Sequence, residues 1–270
     1  MSDLWSDLLA CLDLRPQPHA AAPAFEGTNQ QLAYHRLFGG QLLAQCVRAA
    51  QRLGPDKAVK SLHVLFPRPG RSDEPVHYEA TRVQEGNTFA TWSLTARQDA
   101  GVIATAAVSL HRVEPGVEHQ FTAPVPEVLG PEHGVEFELL PWDTRTSADL
   151  DSPGVAPAEL DLWMRTPHVD ADLGPALLAY ASDLTLIGTA LRAVDGIGQQ
   201  DAGKAFTSAV TSHTVWFHRP ARVDDWLLLR QHAPLIAHGR CHGRGDVFTA
   251  DGLLVASYAQ DALLRLPPSP

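Results

Sequence analysis

Asp183 and Gln260 are two polar side chains whose types and positions could serve hydrolytic chemistry. Asp183 follows Ser182 and precedes apolar residues at helical spacing. We therefore expect it at the start of a helix, where free backbone N–H groups and the helix dipole favour an ionised carboxylate. Such a carboxylate can take a proton from a water molecule that attacks a carbonyl group, a step typically giving a factor of roughly 10²–10⁴ in rate. Gln260 ends an apolar run, and its amide could orient that water.

Each of these residues also has a simpler interpretation. An acidic residue commonly caps a helix N-terminus without any part in catalysis, and this applies to Asp183. A glutamine at the end of a strand commonly reaches solvent, and this applies to Gln260. The residue types alone leave both alternatives open.

Other catalytic patterns are weak or absent. His238, Cys241 and His242 lie on one short loop without a distant fourth ligand, so no metal site is predicted. Gly196-Ile-Gly198 follows a helical segment and lacks a third glycine, so it is no dinucleotide-binding fingerprint. The sequence contains no Gly-x-Ser-x-Gly motif, which removes the main support for a serine hydrolase.

The composition indicates a globular protein of one large or two ordinary domains. The chain has 270 residues, 44% of them hydrophobic, and no apolar run near the roughly 20 residues of a membrane span. No basic segment precedes an apolar stretch at the N-terminus, so no secretory signal is predicted. Cys11, Cys46 and Cys241 show no paired spacing, which favours free thiols and a cytoplasmic location.

The net charge bears on possible partners. A charge of −10 opposes general attraction to nucleic acid or anionic lipid, because either would need a broad positive surface. We therefore expect neither a nucleic acid nor a membrane partner. An anionic substrate would have to be held by a local group of basic residues.

An internal repeat organises the chain. Shifted by 151 residues, SLHVLFPRPGRSD from Ser61 falls on SHTVWFHRPARVD from Ser212 with seven identities, among them Arg68 with Arg219. Upstream, with an offset of 143, LFGGQLLAQCVRAA from Leu37 falls on YASDLTLIGTALRA from Tyr180. Agreement in order between several segments indicates a duplicated structural unit.

The same elements are predicted in each half. Residues 41–51 and 183–194 lack proline and carry apolar residues at helical intervals, so each half should contain one mostly buried helix. After the helix, β-branched and aromatic runs broken by an Arg-Pro turn and a Gly-containing hairpin predict strands, including residues 88–98 and 102–112. One helix followed by several strands predicts an α+β layer in each half.

The halves are separated by a segment rich in proline. Residues 113–158 hold seven prolines and many acids without sustained periodicity, which is typical of a linker or draped loop. The predicted organisation is therefore an N-terminal module of residues 1–112, this linker, and a C-terminal module of residues 159–270.

Several strings resemble the bacterial acyl-CoA thioesterase II family, whose fold is the double hotdog. They are FGGQLLAQ, FPRPG and EGNTF in the first half, and YASDL, WFHRP and DGLLVASYAQ in the second. The resemblance runs from about Leu4 to about Arg265 and is interrupted around residues 117–161. It implies two fused hotdog modules, each with a helix wrapped by an antiparallel sheet. It also implies hydrolysis of fatty acyl-CoA without metal or organic cofactor. Because paired hotdog sheets often associate, we expect a homo-oligomer, most simply a dimer.

The resemblance assigns the hydrolytic site residue by residue. In this family an Asp and a Gln hold and activate the attacking water, and these match Asp183 and Gln260. The first half has Gly40 and Ser109 at the aligned positions. The family's third residue, a Ser or Thr, corresponds to Val210, so Thr211 or Ser212 could substitute only with a bulge or a shifted strand register. At this position the sequence departs from the family's pattern.

Further residues are candidates for binding the substrate. Gly39-Gly40-Gln41 near the first helix start could bring backbone N–H groups close to a developing oxyanion, although these glycines could equally serve tight packing. His218 and Arg219, with Arg68 in the matching turn, could contact the phosphates of CoA, and a structural role in pairing is the alternative.

Two other functions remain open at this point. A hotdog hydratase acting on enoyl-thioesters usually has an Asn-Pro-x-His motif, which is absent here. A non-catalytic protein that binds or senses acyl-CoA could keep the fold after its site has decayed, and Val210 and Ser212 favour that alternative.

Overall fold

A computed structural model of the chain describes residues 4–32 and 36–266, which form two compact units. Unit 1 comprises the described part of residues 1–120, with Asp172–Ala181 and Thr214–Phe217. Unit 2 comprises Phe121–Ala171, Ser182–His213 and His218 onwards. No helix within the described residues is long and apolar enough to cross a membrane.

Helices and strands follow one another along the chain. In order they are α1 Leu4–Cys11, β1 Arg15–Pro16, β2 Ala24–Gly27, α2 Gly39–Leu53, β3 Ala58–Leu65, β4 Val76–Glu85, β5 Phe89–Gln98, β6 Gly101–His111, β7 Asp143–Arg145, β8 Glu159–Arg165, α3 Gly174–Ser182, α4 Leu186–Leu191, β9 Thr207–Phe217, β10 Leu227–Ala237, β11 Arg240–Thr249 and β12 Leu254–Arg265. Short 3₁₀ turns lie at Pro131–His133, Ala171–Leu173 and Gln199–Asp201.

Unit 1 is an antiparallel sheet with a long helix against it. The strands are ordered β1-β2-β4-β5-β6-β3, and each neighbouring pair is antiparallel. Helix α2 contacts β3 and β6. Its residues Leu43, Val47 and Ala50 are fully buried because their spacing places them on one helical face. Burying a leucine or valine side chain contributes about 1.5–3 kcal/mol, so this face anchors the helix to the sheet.

The elements predicted for the first half are confirmed within one or two residues. The predicted helix 41–51 is observed as α2, and the predicted strands 88–98 and 102–112 are observed as β5 and β6. Along β5 buried and exposed residues alternate, which is the pattern of a strand with one face against the core.

Unit 2 repeats this plan with different helical structure. Its strands are ordered β9-β12-β11-β10-β8-β7, and the pairs from β12 to β7 are antiparallel. Helix α4 contacts β8, β10, β11 and β12. Leu191 of α4 packs in a buried cluster with Ala233, Cys241 and Leu264, one from each of three strands.

The single helix predicted over residues 183–194 is wrong. The chain forms α3, which ends at Ser182, and then α4, which begins at Leu186. Asp183 lies in the break, directly after a helix C-terminus rather than at a helix N-terminus, so the dipole argument for its ionisation does not hold. Ser, Asp and Thr side chains compete with the helix for backbone hydrogen bonds, and the sequence Ser182-Asp183-Leu184-Thr185 concentrates them here.

The prediction that Gln260 ends its strand is also wrong. Strand β12 continues to Arg265, five residues further along the chain. Ala262 and Leu264 are buried while Leu263 is partly exposed, so the alternation that defines the strand persists beyond Gln260. Gln260 therefore projects from the middle of a sheet strand toward the interior of unit 2.

The proline-rich segment 113–158 is partly ordered into the second sheet. Strand β7 pairs with β8, and Arg145 together with Arg165 flanks the ring of Trp226 at 4.3 and 4.7 Å from its centroid. Cations held over an indole ring are attracted by its π-electrons, which helps hold this segment on unit 2. The predicted module limits at 112 and 158 stay a prediction.

Candidate functional site

Asp183 is a buried carboxylate. It is 4% exposed and is flanked in the chain by Ser182, which is fully buried. An ionised carboxylate away from water is unfavourable unless other groups compensate its charge. One such group is His213, whose Nδ1 lies 3.7 Å from Asp183 Oδ1.

His213 is the centre of the cluster. It lies on β9 and is fully buried. Its Nδ1 is 2.9 Å from Oε1 of Gln260, and its Nε2 is 2.9 Å from Oγ of Ser182. The ring also stacks on Tyr258, with centroids 5.9 Å apart and planes inclined by 15°. One imidazole therefore contacts residues from the α3–α4 break and from β12.

The cluster brings Asp183 and Gln260 together. Their side-chain oxygens Oδ1 and Oε1 approach the same nitrogen of His213, so these oxygens lie within 6.6 Å of each other, the sum of the two distances. Both residues belong to unit 2. The proximity expected from the sequence is therefore observed, while the catalytic role of each residue stays a prediction.

Gln260 has an unused donor. Its side chain is 3% exposed, and among the described residues none accepts a hydrogen bond from Nε2. A buried amide nitrogen without an acceptor is unfavourable by about 1–3 kcal/mol, so such groups call for an explanation. A ligand oxygen beside Nε2 would supply the missing acceptor.

A second layer of polar groups supports the cluster. Gln231 of β10 donates from Nε2 to the Tyr258 hydroxyl at 2.8 Å and to Thr185 Oγ1 at 2.6 Å. Its Oε1 accepts from Thr189 Oγ1 at 2.8 Å. Burial raises the pKa of Tyr258 above its usual range, so the phenol stays neutral. This network ties the α3–α4 break to the strand that carries Gln260.

Thr211 and Ser212 occupy different sides of β9. Because strand side chains alternate, Thr211 points to the same side as His213, and Ser212 points to the side of Val210. Thr211 is exposed and donates from Oγ1 to the backbone carbonyl of Asp261 at 2.9 Å. Their predicted part in catalysis is neither supported nor opposed by this contact.

Gly39, Gly40 and Gln41 form the first turn of α2 in unit 1. A Cβ added at Gly40 would lie 2.4 Å from the backbone carbonyl oxygen of Tyr180, so glycine is needed here for close packing. The side chain of Gln41 is occupied, because Oε1 accepts from the Gln30 backbone N–H and Nε2 donates to Asn29 Oδ1, both at 2.9 Å. These contacts support the packing alternative for this turn.

The basic candidates contact the protein itself. Arg219 donates from Nη1 to the carbonyl of Leu254 at 2.8 Å, and Arg68 donates from Nη1 to the carbonyl of Ala100. His218 Nε2 lies 3.0 Å from Ser257 Oγ, and partial burial lowers the pKa of this histidine. Their proposed role in binding CoA phosphates stays a prediction.

His213 was missed from the sequence. A signal for it exists, because His213 lies two residues before the buried Val215 and therefore on the same face of its strand. A histidine at an inward strand position needs buried hydrogen-bond partners, and Ser182 and Gln260 supply them. The described residues contain no group of three His, Cys, Asp or Glu side chains that could hold a metal ion.

The antiparallel sheet and helix of each unit, together with matches to solved structures, define a protein of the double hotdog class. A hot dog fold protein from Alicyclobacillus acidocaldarius matches with a TM-score of 0.74 and 22% identity, covering 96% of this chain and 98% of that one. The tesB protein of Mycobacterium avium subspecies paratuberculosis matches with a TM-score of 0.81 and 32% identity, covering 99% of this chain and all of its own.

The chain belongs to the acyl-CoA thioesterase family. The family's C-terminal domain matches residues 114–264, and its N-terminal domain matches residues 29–111. Acyl-CoA thioesterase 2 of Haemophilus influenzae is 30% identical over 98% of this chain and 99% of its own length. The family predicted from YASDL, WFHRP and the other strings is thereby confirmed, as is the double hotdog fold.

Proposed function

We propose that this protein hydrolyses fatty acyl-CoA thioesters to the free acid and CoA, using a water molecule activated by Asp183 and oriented by Gln260. The observation that carries the proposal is the buried meeting of Asp183 and Gln260 around His213. Membership of the acyl-CoA thioesterase family supplies the substrate class.

The carboxylate of Asp183 is the proposed general base. It takes a proton from water as the water oxygen attacks the thioester carbonyl carbon, which gives a tetrahedral intermediate with a negatively charged oxygen. The intermediate collapses with cleavage of the carbon–sulfur bond, and the CoA sulfur leaves as a thiolate. The proton returned by the Asp183 carboxyl group converts that thiolate to the thiol, so the residue ends the cycle ionised.

The amide of Gln260 is the proposed orienting group. Its Nε2, which has no acceptor among the described residues, donates to the oxygen of the attacking water. Holding water in one orientation beside a base reduces the entropy that must be lost in the transition state. A neutral amide cannot take the proton at ordinary pH, so orientation rather than proton transfer is its role.

The non-catalytic alternative makes a different use of the same site. A binding or sensing protein would need donors for the thioester group but no base within reach of water. The carboxylate of Asp183 therefore favours the hydrolase, because it supplies the base that hydrolysis requires and that binding alone does not. An enoyl-thioester hydratase is the third possibility, and no contact in the cluster favours it.

The decisive experiment is thiol release from a panel of short, medium and long acyl-CoAs. We expect turnover by the wild type and a fall in kcat of about 10² or more for Asp183→Asn, as when a general base is removed. The matched control is Asp195→Asn, which neutralises an exposed aspartate on the loop after α4. Equal rates for wild type and Asp183→Asn would exclude the mechanism. Tight acyl-CoA binding without turnover would establish the sensor instead.

Two further features of the protein belong to the same proposal. We propose a homo-oligomer, supported by the exposed large apolar side chains Leu65, Phe89 and Trp216 of unit 1. Sedimentation of the purified protein at several concentrations tests this.

We propose a cytoplasmic location, supported by the free thiols of Cys11, Cys46 and Cys241. Fractionation of the producing cells tests it.

A further inference from the structure

The contact between His213 and Gln260 indicates which ring nitrogen of His213 carries a proton. Oε1 of Gln260 is a carbonyl oxygen and can only accept, so Nδ1 of His213, 2.9 Å away, must donate. Nδ1 therefore carries a proton whether the ring is neutral or charged. Asp183 Oδ1, 3.7 Å from the same nitrogen, favours this assignment, because a carboxylate is attracted to an N–H group and repelled by a lone pair.

The other side of the ring agrees with this proton position. Nε2 of His213 lies 2.9 Å from Oγ of Ser182. In a neutral ring with its proton on Nδ1, Nε2 is an acceptor, and the Ser182 hydroxyl can donate to it. Ser182 is fully buried at the end of α3, so the hydroxyl and the ring hold each other in place.

We propose that His213 is a positioning residue for thioester hydrolysis. By donating from Nδ1 to Oε1 it locks the amide of Gln260 so that Nε2 faces away from the ring and donates to the attacking water. Without this contact the amide could rotate and present its oxygen to the water, which would then be held in the wrong orientation. The inference rests on the hydrolytic function proposed above and adds to it the group that sets the Gln260 amide.

A serine nucleophile is the main competing interpretation of the same atoms. Ser182, His213 and Asp183 have the residue types of a catalytic triad. In such a triad the carboxylate accepts a hydrogen bond from the histidine at about 2.6–3.2 Å, and the observed 3.7 Å is too long. Nδ1 instead approaches the amide oxygen of Gln260 at hydrogen-bond distance. The ring is therefore directed at Gln260 rather than set up to activate Ser182.

A double-mutant cycle tests the positioning role. In the wild-type background His213→Leu should lower kcat by about 10²-fold, the loss expected when one positioned donor is removed, with KM within about threefold. His213→Asn should lose less, because its amide can donate from near the position of Nδ1. In a Gln260→Ala background either substitution should change kcat by less than about twofold, since His213 acts through Gln260. A purely structural role would reduce kcat by the same factor in both backgrounds and would overturn the proposal.

Nitrogen NMR on protein labelled at histidine gives an independent readout. The signals lost in His213→Asn identify His213, and we expect Nδ1 to be protonated in the wild type. A ring protonated on Nε2 alone would mean that the Gln260 amide is turned the other way, which overturns the proposal.

Ser182→Ala should retain at least about a tenth of wild-type kcat. Complete loss, with a burst of thiol release in the wild type, would establish a serine nucleophile instead.

The outcomes separate this inference from the function on which it rests. A wild type that turns over no acyl-CoA defeats both. Turnover by the wild type, loss in Asp183→Asn and independent effects of His213 and Gln260 leave the hydrolase intact and defeat only the positioning role.

Discussion

Arg68 and Arg219 make the same kind of contact in the two halves of the chain. Each guanidinium donates to a backbone carbonyl, Arg68 to Ala100 in the turn between β5 and β6, and Arg219 to Leu254, the first residue of β12. The two arginines are aligned by the 151-residue repeat. Each guanidinium is thus bound to the backbone of its own half, although only the second half carries the Asp and Gln of the proposed site, and this points to a role in the scaffold.

Replacing Arg219 should therefore reduce stability rather than substrate binding. Arg219→Ala removes a charge-assisted hydrogen bond, which is worth about 1.5–3 kcal/mol, so we expect a clearly lower midpoint of urea unfolding. Arg222→Ala is the control, because its ion pairs with Asp224 and Asp225 involve a largely exposed arginine and are worth about 0–1 kcal/mol. A large rise in KM for acyl-CoA with unchanged stability would instead assign Arg219 to the CoA phosphates.

Gly40→Ala should destabilise unit 1. The added methyl group would meet the Tyr180 carbonyl oxygen at 2.4 Å, and a backbone atom cannot move aside as a flexible side chain can. Overpacking of this kind typically reduces stability by about 1–3 kcal/mol, which thermal unfolding would detect as a lower Tm. Gly116→Ala is the matched control, since nothing lies within 4 Å of its added Cβ. Equal Tm values for the two variants would contradict the packing role of Gly40.

Thr211→Val should reduce kcat more than Ser212→Ala. Thr211 points to the side of β9 that carries His213, and valine keeps its shape while removing the hydroxyl. Loss of one hydrogen bond of about 1–1.5 kcal/mol predicts a fall in kcat of about tenfold, whereas Ser212→Ala should stay within about twofold. Steady-state kinetics with one acyl-CoA measures both. The reverse order would assign the family's third role to Ser212.

The three thiols should be unreactive in the folded protein. Burial raises the pKa of Cys11 and of Cys46 to about 12, and that of Cys241 to about 11. Because the thiolate is the reactive form, and these groups stay protonated until the pH approaches those values, a colorimetric disulfide reagent at pH near 8 should find almost no thiol. After unfolding in guanidinium chloride it should find all three. A fast-reacting thiol in the native protein would refute this and would also interfere with assays of CoA release.

The sequence predicts the scaffold better than the site because the two depend on different information. Helix α2 and strands β5 and β6 follow from local periodicity, which each segment carries within itself. From the repeat we predicted that the second half contains the same continuous helix as the first. In the structure, the segment from Ser182 to Thr185 separates α3 from α4 instead. Local competition by short polar side chains outweighed the apolar pattern at that point.

The polar cluster could be predicted only in part. Asp183 and Gln260 were identifiable because sequence motifs of the family surround them. His213, in contrast, contacts Ser182 and Gln260, which are 31 and 47 residues away in the sequence. No local pattern specifies which buried polar groups will meet after strands from distant segments pair. The inward position of His213 was readable from strand alternation, while its partners were not.

The two halves of the chain differ in their helices, because only the second half has the interruption between α3 and α4. In the first half the aligned residue, Gly40, is the second residue of α2, and a Cβ added there would lie 2.4 Å from both the Tyr180 carbonyl oxygen and a ring carbon of Phe38. An aspartate side chain at that position would require the Tyr180 carbonyl and the Phe38 ring to move away. We therefore expect each chain of this protein to have a single hydrolytic centre, beside the interruption between α3 and α4.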